Sequence, residues 1–486
     1  MVWNLWELSF ADKERRKRLD SMKKKNVWNA YSKEQLEQVD IFAKEYMNFL
    51  NQGKTERECI DFTVNMIEKE GYVELNKLIK EGKKLKKGDK VYSVWMNKSI
   101  AVFKIGEKPM AEGMNILGAH IDSPRLDVKQ NPLYEDGGIA YLDTHYYGGV
   151  KKYQWVTLPL ALHGVIVKKD GTTVEVNIGE KEEDPVFFIS DLLIHLSQEQ
   201  LEKKAAKVIE GEALDLVIGN MPFKSEEDKE EKEAVKKNIL HLLKDYYDIE
   251  EEDFLSAELE IVPAGKAREA GFDRSLILAY GHDDRVCAFP SLKAILEVEE
   301  VERTACCILV DKEEIGSVGA TGMQSRFFEN AVAEVMNLTG EYSELNLRRC
   351  LAASDMLSSD VSAAFDPSYA SCFEKKNTAY LGQGMVFNKY TGSRGKSGSN
   401  DANAEYMAHI RNIMDAKDVI YQTAELGRVD LGGGGTIAYI LALYGMNVID
   451  CGIAVLSMHS PWEAISKADL FETKRGYMAF LEEACL

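Results

Sequence analysis

The strongest constraint in this chain is a set of short, almost uninterrupted apolar runs: "TACCILV" (304–310), "NVIDCGIAVL" (447–456) and "SLILAY" (275–280). A half-buried strand alternates apolar and polar residues. These runs do not alternate, so both faces of each strand must meet an apolar layer. Helix-like stretches such as "FPSLKAILEVEEVE" and "TIAYILALYG" separate them. Strands and helices in this order imply an α/β domain whose sheet is covered on both sides. "MNILGAHIDSPRL" (114–126) has the same texture, a short apolar strand that turns polar at His120.

The residues from 133 to 272 read differently. "YLDTHYYGGVKKYQW" is rich in Tyr and Gly, and "TLPLALHGVIV" and "TTVEVNI" follow as strands of a β-rich unit. The expected organisation is a discontinuous α/β domain, 1–132 with 273–486, and a β-rich domain inserted at 133–272. Before the first apolar strand, "SKEQ" and "TERE" are capping boxes that predict helices between 32 and 70. "KVYSVWMNKSIAVFKIG" predicts two strands turning at Asn97-Lys98. The charged stretch 225–253 predicts a solvated helix with acidic flanks.

The formal net charge of −20 excludes a general field for phosphate backbones or anionic membranes, so neither nucleic acid nor membrane is an expected partner. No apolar stretch is long enough to span a bilayer, and the N-terminus has no secretory pattern. Eight cysteines without a CxxC pair suit a reducing compartment. A cytoplasmic protein is expected.

Sites in open α/β sheets form where strands end. Here the ends carry His120, then His282-Asp283-Asp284, then Glu313-Glu314, then His459, with Asp360 in the less regular "SSDVSAAFDP". Gathered carboxylates repel and are costly to desolvate, so a positive partner is required. Imidazole with carboxylate is the donor set of Zn²⁺ or a similar divalent ion. Taken singly, a histidine at a strand end is more often structural, an Asp more often a helix cap, and a Glu pair more often solvated. Their joint occurrence favours a metal site. Adjacent glutamates cannot both face one ion. One can ligate while the other takes a proton from an acidified water. Asp122, two residues after His120, either orients that imidazole or caps the segment beyond Ser123-Pro124.

The ordered motifs "GAHIDSPRL", "HDDR", "DKEEIGS", "SSDVSAAFDPSY" and "SMHSP" resemble the aspartyl aminopeptidase family of co-catalytic zinc exopeptidases (its bacterial branch), and the long insert stands in the family's place. The resemblance implies a mixed-sheet catalytic domain with an inserted β-rich oligomerisation domain. It implies one metal on His120, Asp283 and Asp360, and another on Glu314, Asp283 and His459, with Glu313 as general base and Asp122 orienting His120. Two Zn²⁺ per subunit are expected, with Mn²⁺ or Co²⁺ as alternatives. Asp360 is preferred to Asp355, and Asp283 to Asp284, by spacing to the family's motifs. The peptide after the bridging acid is often cis in related enzymes.

From "DLLIHL", His195 matches a histidine that the family lends to a neighbouring subunit's site, and a tetrahedral dodecamer is implied. Lys389, in "MVFNKYTGSRGKSGSN", takes the place of a substrate-binding lysine. The Gln-Arg-Tyr of acidic-selective members is missing after it, so their preference for Asp or Glu is not carried over. "DLGGGGTIAY" offers Gly433 and Gly434 for close approach to substrate. The expected function is hydrolysis of the N-terminal residue from peptides. The alternatives are a metal-dependent deacylase of small amides and a non-catalytic, metal-stabilised shell or cargo-binding protein.

Overall fold

The computed structural model describes residues 26–224 and 232–484. A nine-stranded mixed sheet forms its centre, and the four middle strands, Thr304–Val310, Met114–His120, Asp355–Ser359 and Asn447–Gly452, are parallel. Both faces are buried, as the unbroken apolar runs require. Along Thr304–Val310, Ala305, Cys307 and Leu309 enter one core, while Cys306, Ile308 and Val310 enter the other. Each such aliphatic side chain contributes ~2 kcal/mol by leaving water. Ser99–Lys104 closes one side antiparallel, and Met385–Asn388 does so on the other, which makes the sheet mixed.

The local signals at the N-terminus hold. Helices Lys33–Gln52 and Glu56–Lys69 start on complete capping boxes, Ser32 with Gln35 and Thr55 with Glu58. Lys90–Trp95 and Ser99–Lys104 pair as a hairpin across residues 96–98, with the left-handed pair, at φ 51° and 52°, on Met96 and Asn97, one residue before the expected Asn97-Lys98.

"SLILAY" departs from expectation. Leu276–Ala279 joins a separate five-stranded sheet and pairs antiparallel with Glu463–Ser466. The run is apolar enough for the central sheet. However, Leu278 stays 36% exposed, so one face of this short strand is open.

A six-stranded antiparallel sheet takes in the strands between Arg125 and Pro263, and one face of it packs around Trp155, Leu160 and Ile261. The strand Arg125–Asp136 begins five residues after His120, so this sheet grows directly from the end of a central strand. Part of the charged stretch, 225–231, lies outside the described residues. The remainder forms helix Ala234–Tyr247, whose Ile239, Leu240 and Leu243 pack on the sheet, so it is not solvated all round. Its first turn is held by Glu135, which accepts the N–H groups of Val235 and Lys236.

The seven described cysteines are free, six of them buried. Among the described residues no helix is long and apolar enough to cross a membrane.

Candidate metal centre

The parallel strands end at one level, and residues after those ends meet. His120 is the last residue of its strand and lies opposite Val310. After Val310 the chain passes Asp311, turns at Lys312 with φ 69°, and enters a tight turn over Glu313–Ile315. Asp360 follows Ser359. Asp283 and His459 come from the start of helix His282–Glu297 and from the loop between the strands Ala454–Leu456 and Glu463–Ser466.

Asp283 lies between the two imidazoles. Its Oδ1 is 3.2 Å from His120 Nε2 and its Oδ2 is 3.1 Å from His459 Nε2. Glu314 Oε1 lies 3.7 Å from His459 Nε2, and Glu313 Oε2 lies 3.9 Å from His120 Nε2. Donor atoms of His120, Asp283 and Glu314 fall within 4.8 Å of one another, as do those of His120, Glu313 and Asp360, and those of Asp283, Asp284 and Asp360. The Asp283–Asp284 peptide is cis.

Both imidazoles have their tautomer set from behind. His120 Nδ1 faces the Asp122 carbonyl at 3.1 Å and the Asp122 carboxylate at 3.3 Å. His459 Nδ1 faces the Gly149 carbonyl at 3.0 Å. A carbonyl only accepts, so Nδ1 carries a hydrogen in each ring, and Nε2 is the nitrogen each ring turns to the cluster.

Asp122 does more than orient His120. Its two oxygens accept the N–H groups of Glu313 and Glu314 at 3.1 and 3.2 Å, and Tyr147 donates its hydroxyl at 2.9 Å. One carboxylate therefore fixes the direction of both glutamates. Both border the cavity, the Glu314 side chain 3% exposed and that of Glu313 15% exposed.

Electrostatics agree with a cation-binding cluster. Burial pushes Glu313 up to about 7, and burial with the Asp283 charge pushes Glu314 well above the usual carboxylate range. Burial and the neighbouring Asp284 likewise raise Asp360. Burial works against charge on Asp283 as well, but the hydrogen bonds from His120 and His459 hold it low. Burial opposes charge on His459, yet Asp283 and Glu314 lift it to about 10. Glu314 Oε1 and Asp284 Oδ1 are buried without a hydrogen-bond partner. Carboxylates exceed imidazoles here, and among the described residues no Lys or Arg lines the adjoining cavity of about 600 Å³. Orphaned oxygens, oriented imidazoles and missing counter-charge together fit divalent cations.

Other expected residues lie elsewhere. His282 faces the core, between the Tyr46 hydroxyl at 2.8 Å and the Ile277 carbonyl at 3.1 Å, and burial depresses it to about 3. Asp355, the alternative to Asp360, is buried against Arg303 and takes a hydrogen bond from Asn447. Lys389, just beyond the strand Met385–Asn388, pairs with Asp401 at 2.6 Å, and its neighbour Asn388 lines the cavity. A Cβ at Gly433 would meet cavity-lining Ser393 at 2.5 Å, and Gly434 and Gly435 line the cavity themselves. His195 is exposed in the 3₁₀ turn Ile194–Leu196, away from the cluster of its own chain.

Two contributors were missed. In "YYGGV", Gly148 packs on Glu314 and Gly149 on His459, where added Cβ atoms would stand 3.2 and 3.1 Å from those side chains. A Gly-Gly pair after a strand was the available signal. The other is Glu463, buried beneath Asp283 and His459, for which the sequence carries no signal.

A family profile described as aminopeptidase I zinc metalloprotease (M18) matches residues 49–481. The chain belongs to this family. Among its relatives, a probable M18 family aminopeptidase 1 of Clostridium acetobutylicum is 62% identical over 94% of this chain and 98% of that one. The crystal structure of aminopeptidase I from that organism superposes with a TM-score of 0.88 at 60% identity, covering 94% and 99% of the two chains. The mApe1 dodecamer of S. cerevisiae shares the fold, with a TM-score of 0.72 at 20% identity over 91% of this chain and 97% of that one. The chain is thus a metallo-aminopeptidase of a zinc-dependent family, with the mixed α/β fold of its relatives.

Proposed function

We propose that this aminopeptidase uses two zinc ions per subunit, one held by His120, Asp283 and Asp360 and the other by Glu314, Asp283 and His459. The observation that carries this reading is Asp283, with one carboxylate oxygen turned to each imidazole Nε2. Ions held there would supply Lewis acidity to a peptide carbonyl and to a water. Glu313 would take a proton and return it to the leaving amine. Asp122 holds Glu313 in place through the backbone. The acidic rim attracts the substrate's free ammonium, which restricts cleavage to the first residue.

The cavity beyond the cluster supports a preference for uncharged N-terminal residues. Asn388, Thr391, Leu426, Tyr439 and Met458 line it, and among the described residues no Lys or Arg is there to meet an acidic side chain. Aminoacyl-amides should be tested on metal-stripped protein reloaded with zinc. Leu- and Met-amide should exceed Asp- and Glu-amide in kcat/KM by about tenfold or more, since like charges brought together cost several kcal/mol. N-acyl amino acids should not react. Faster turnover of the Asp substrate would overturn the preference, and turnover of N-acyl amino acids alone would favour the deacylase reading.

The sheet between Arg125 and Pro263 is read as the inserted module, and assembly is proposed to run through it into a homo-oligomer, a tetrahedral dodecamer as the resemblance implies. Leu193, Ile194 and Leu196 are 54%, 69% and 68% exposed in one short stretch, beside half-exposed Val186 and Phe188. So much apolar surface marks an interface. Assembly would also carry His195 toward a neighbour's site. The dodecameric form of the S. cerevisiae relative agrees. Ile194→Asp should shift the particle to smaller species in light scattering after size exclusion. An undiminished particle would refute this interface.

A further inference from the structure

Asp122 gathers Glu313 and Glu314 by their backbone. A second carboxylate does the equivalent at the opposite corner of the cluster. Glu463 opens the strand Glu463–Ser466 and is 1% exposed. Its Oε2 accepts the N–H of Asp283 at 3.1 Å, and its Oε1 accepts the N–H of His459 at 2.7 Å. Those two residues are remote in sequence, and both carry side chains into the cluster. Among the described residues no Lys or Arg pairs with Glu463.

A buried carboxylate without a cationic partner is an expensive way to satisfy two amides. A backbone carbonyl or a neutral side chain could accept them at less cost. What a carboxylate offers is two equivalent acceptor oxygens at a fixed separation, able to hold two strangers in the chain at one spacing. His459 needs such a hold. It sits at φ 63°, in the left-handed region that non-glycine residues seldom occupy, and no helix or strand includes it. With its N–H on Glu463 and its Nδ1 on Gly149, the ring has one remaining direction, toward Asp283.

We infer that Glu463 is a positioning residue that sets the distance between Asp283 and His459 and so assembles the zinc site they share with Glu314. This rests on the two-zinc reading above. Glu463 touches neither substrate nor cation. It acts through the two backbones it holds, as Asp122 does for the glutamates.

The test is zinc titration by calorimetry, with bound metal counted by mass spectrometry, on metal-stripped wild type and Glu463→Gln. Glutamine keeps the volume but sets an NH2 against one of the two N–H groups. Wild type should take up two equivalents. The variant should keep one at near wild-type affinity and bind the other about 10- to 100-fold more weakly, the usual cost of losing a group that orients ligands. A role confined to strand packing would lower thermal stability and leave both affinities unchanged, and that result would overturn the inference. Wild type holding fewer than two equivalents overturns the two-zinc reading, and this inference with it, before any variant is compared. Hydrogen exchange on the metal-free wild type needs no variant to fold. The amides of Asp283 and His459 should be protected there, and free exchange at both would refute the clamp.

Discussion

Glu313→Gln is expected to leave zinc binding intact and to lower kcat by about 10²- to 10⁴-fold, the range that a positioned general base supplies. Glutamine preserves shape, and the Glu313 N–H still rests on Asp122, so the loop should not move. What disappears is the basic oxygen facing the cavity. Burial holds Glu313 at about 7. A carboxyl raised in this way loses its proton near neutrality, and nearby cations bring that loss to lower pH. The base is therefore active above its pKa and fails as the pH drops through it. Leu-amide kinetics with zinc counted on the same sample provide the measurement. A kcat within tenfold of wild type, with zinc retained, would remove Glu313 from the proton path.

Asp283→Ala should have the second large effect, loss of both zinc ions and of turnover down to background. In the proposed two-zinc assignment the other ligands serve one site each, whereas Asp283 turns an oxygen to both imidazoles, so its removal should undo both sets at once. Variants of His120 or His459 should instead lose one ion first. Zinc binding should also be proton-linked in wild type. His459 is held at about 10, so it is protonated at neutral pH, and its proton must leave before Nε2 can ligate. Affinity should fall as pH falls, and calorimetry in buffers of different ionisation enthalpy should show protons released. Retention of both ions by the variant would break the shared-ligand assignment.

Some of this was legible in the sequence because the causes are local. Ser32 with Gln35 and Thr55 with Glu58 cap helices by contacts three residues apart. The hairpin between Trp95 and Ser99 closes neighbouring strands, though its turn begins one residue earlier than Asn97-Lys98. The run "TACCILV" announces two apolar neighbours without naming them, and the alternation of its residues between two cores answers that. The same reasoning placed "SLILAY" in the wrong company, since apolar composition does not say which sheet edge is open to receive a strand.

The chain alone determined which donor types stand at strand ends: His120, Glu313 with Glu314, Asp283, Asp360 and His459. Ligand chemistry is a property of the residue, and strand ends can be read from local pattern. Tertiary structure alone decided their use. It turned His282 into the core, paired Asp355 with Arg303 and Lys389 with Asp401, and set Gly149 and Glu463 behind His459. Most of these outcomes depend on partners far away along the chain, whose meeting is fixed only when the sheets have formed and packed.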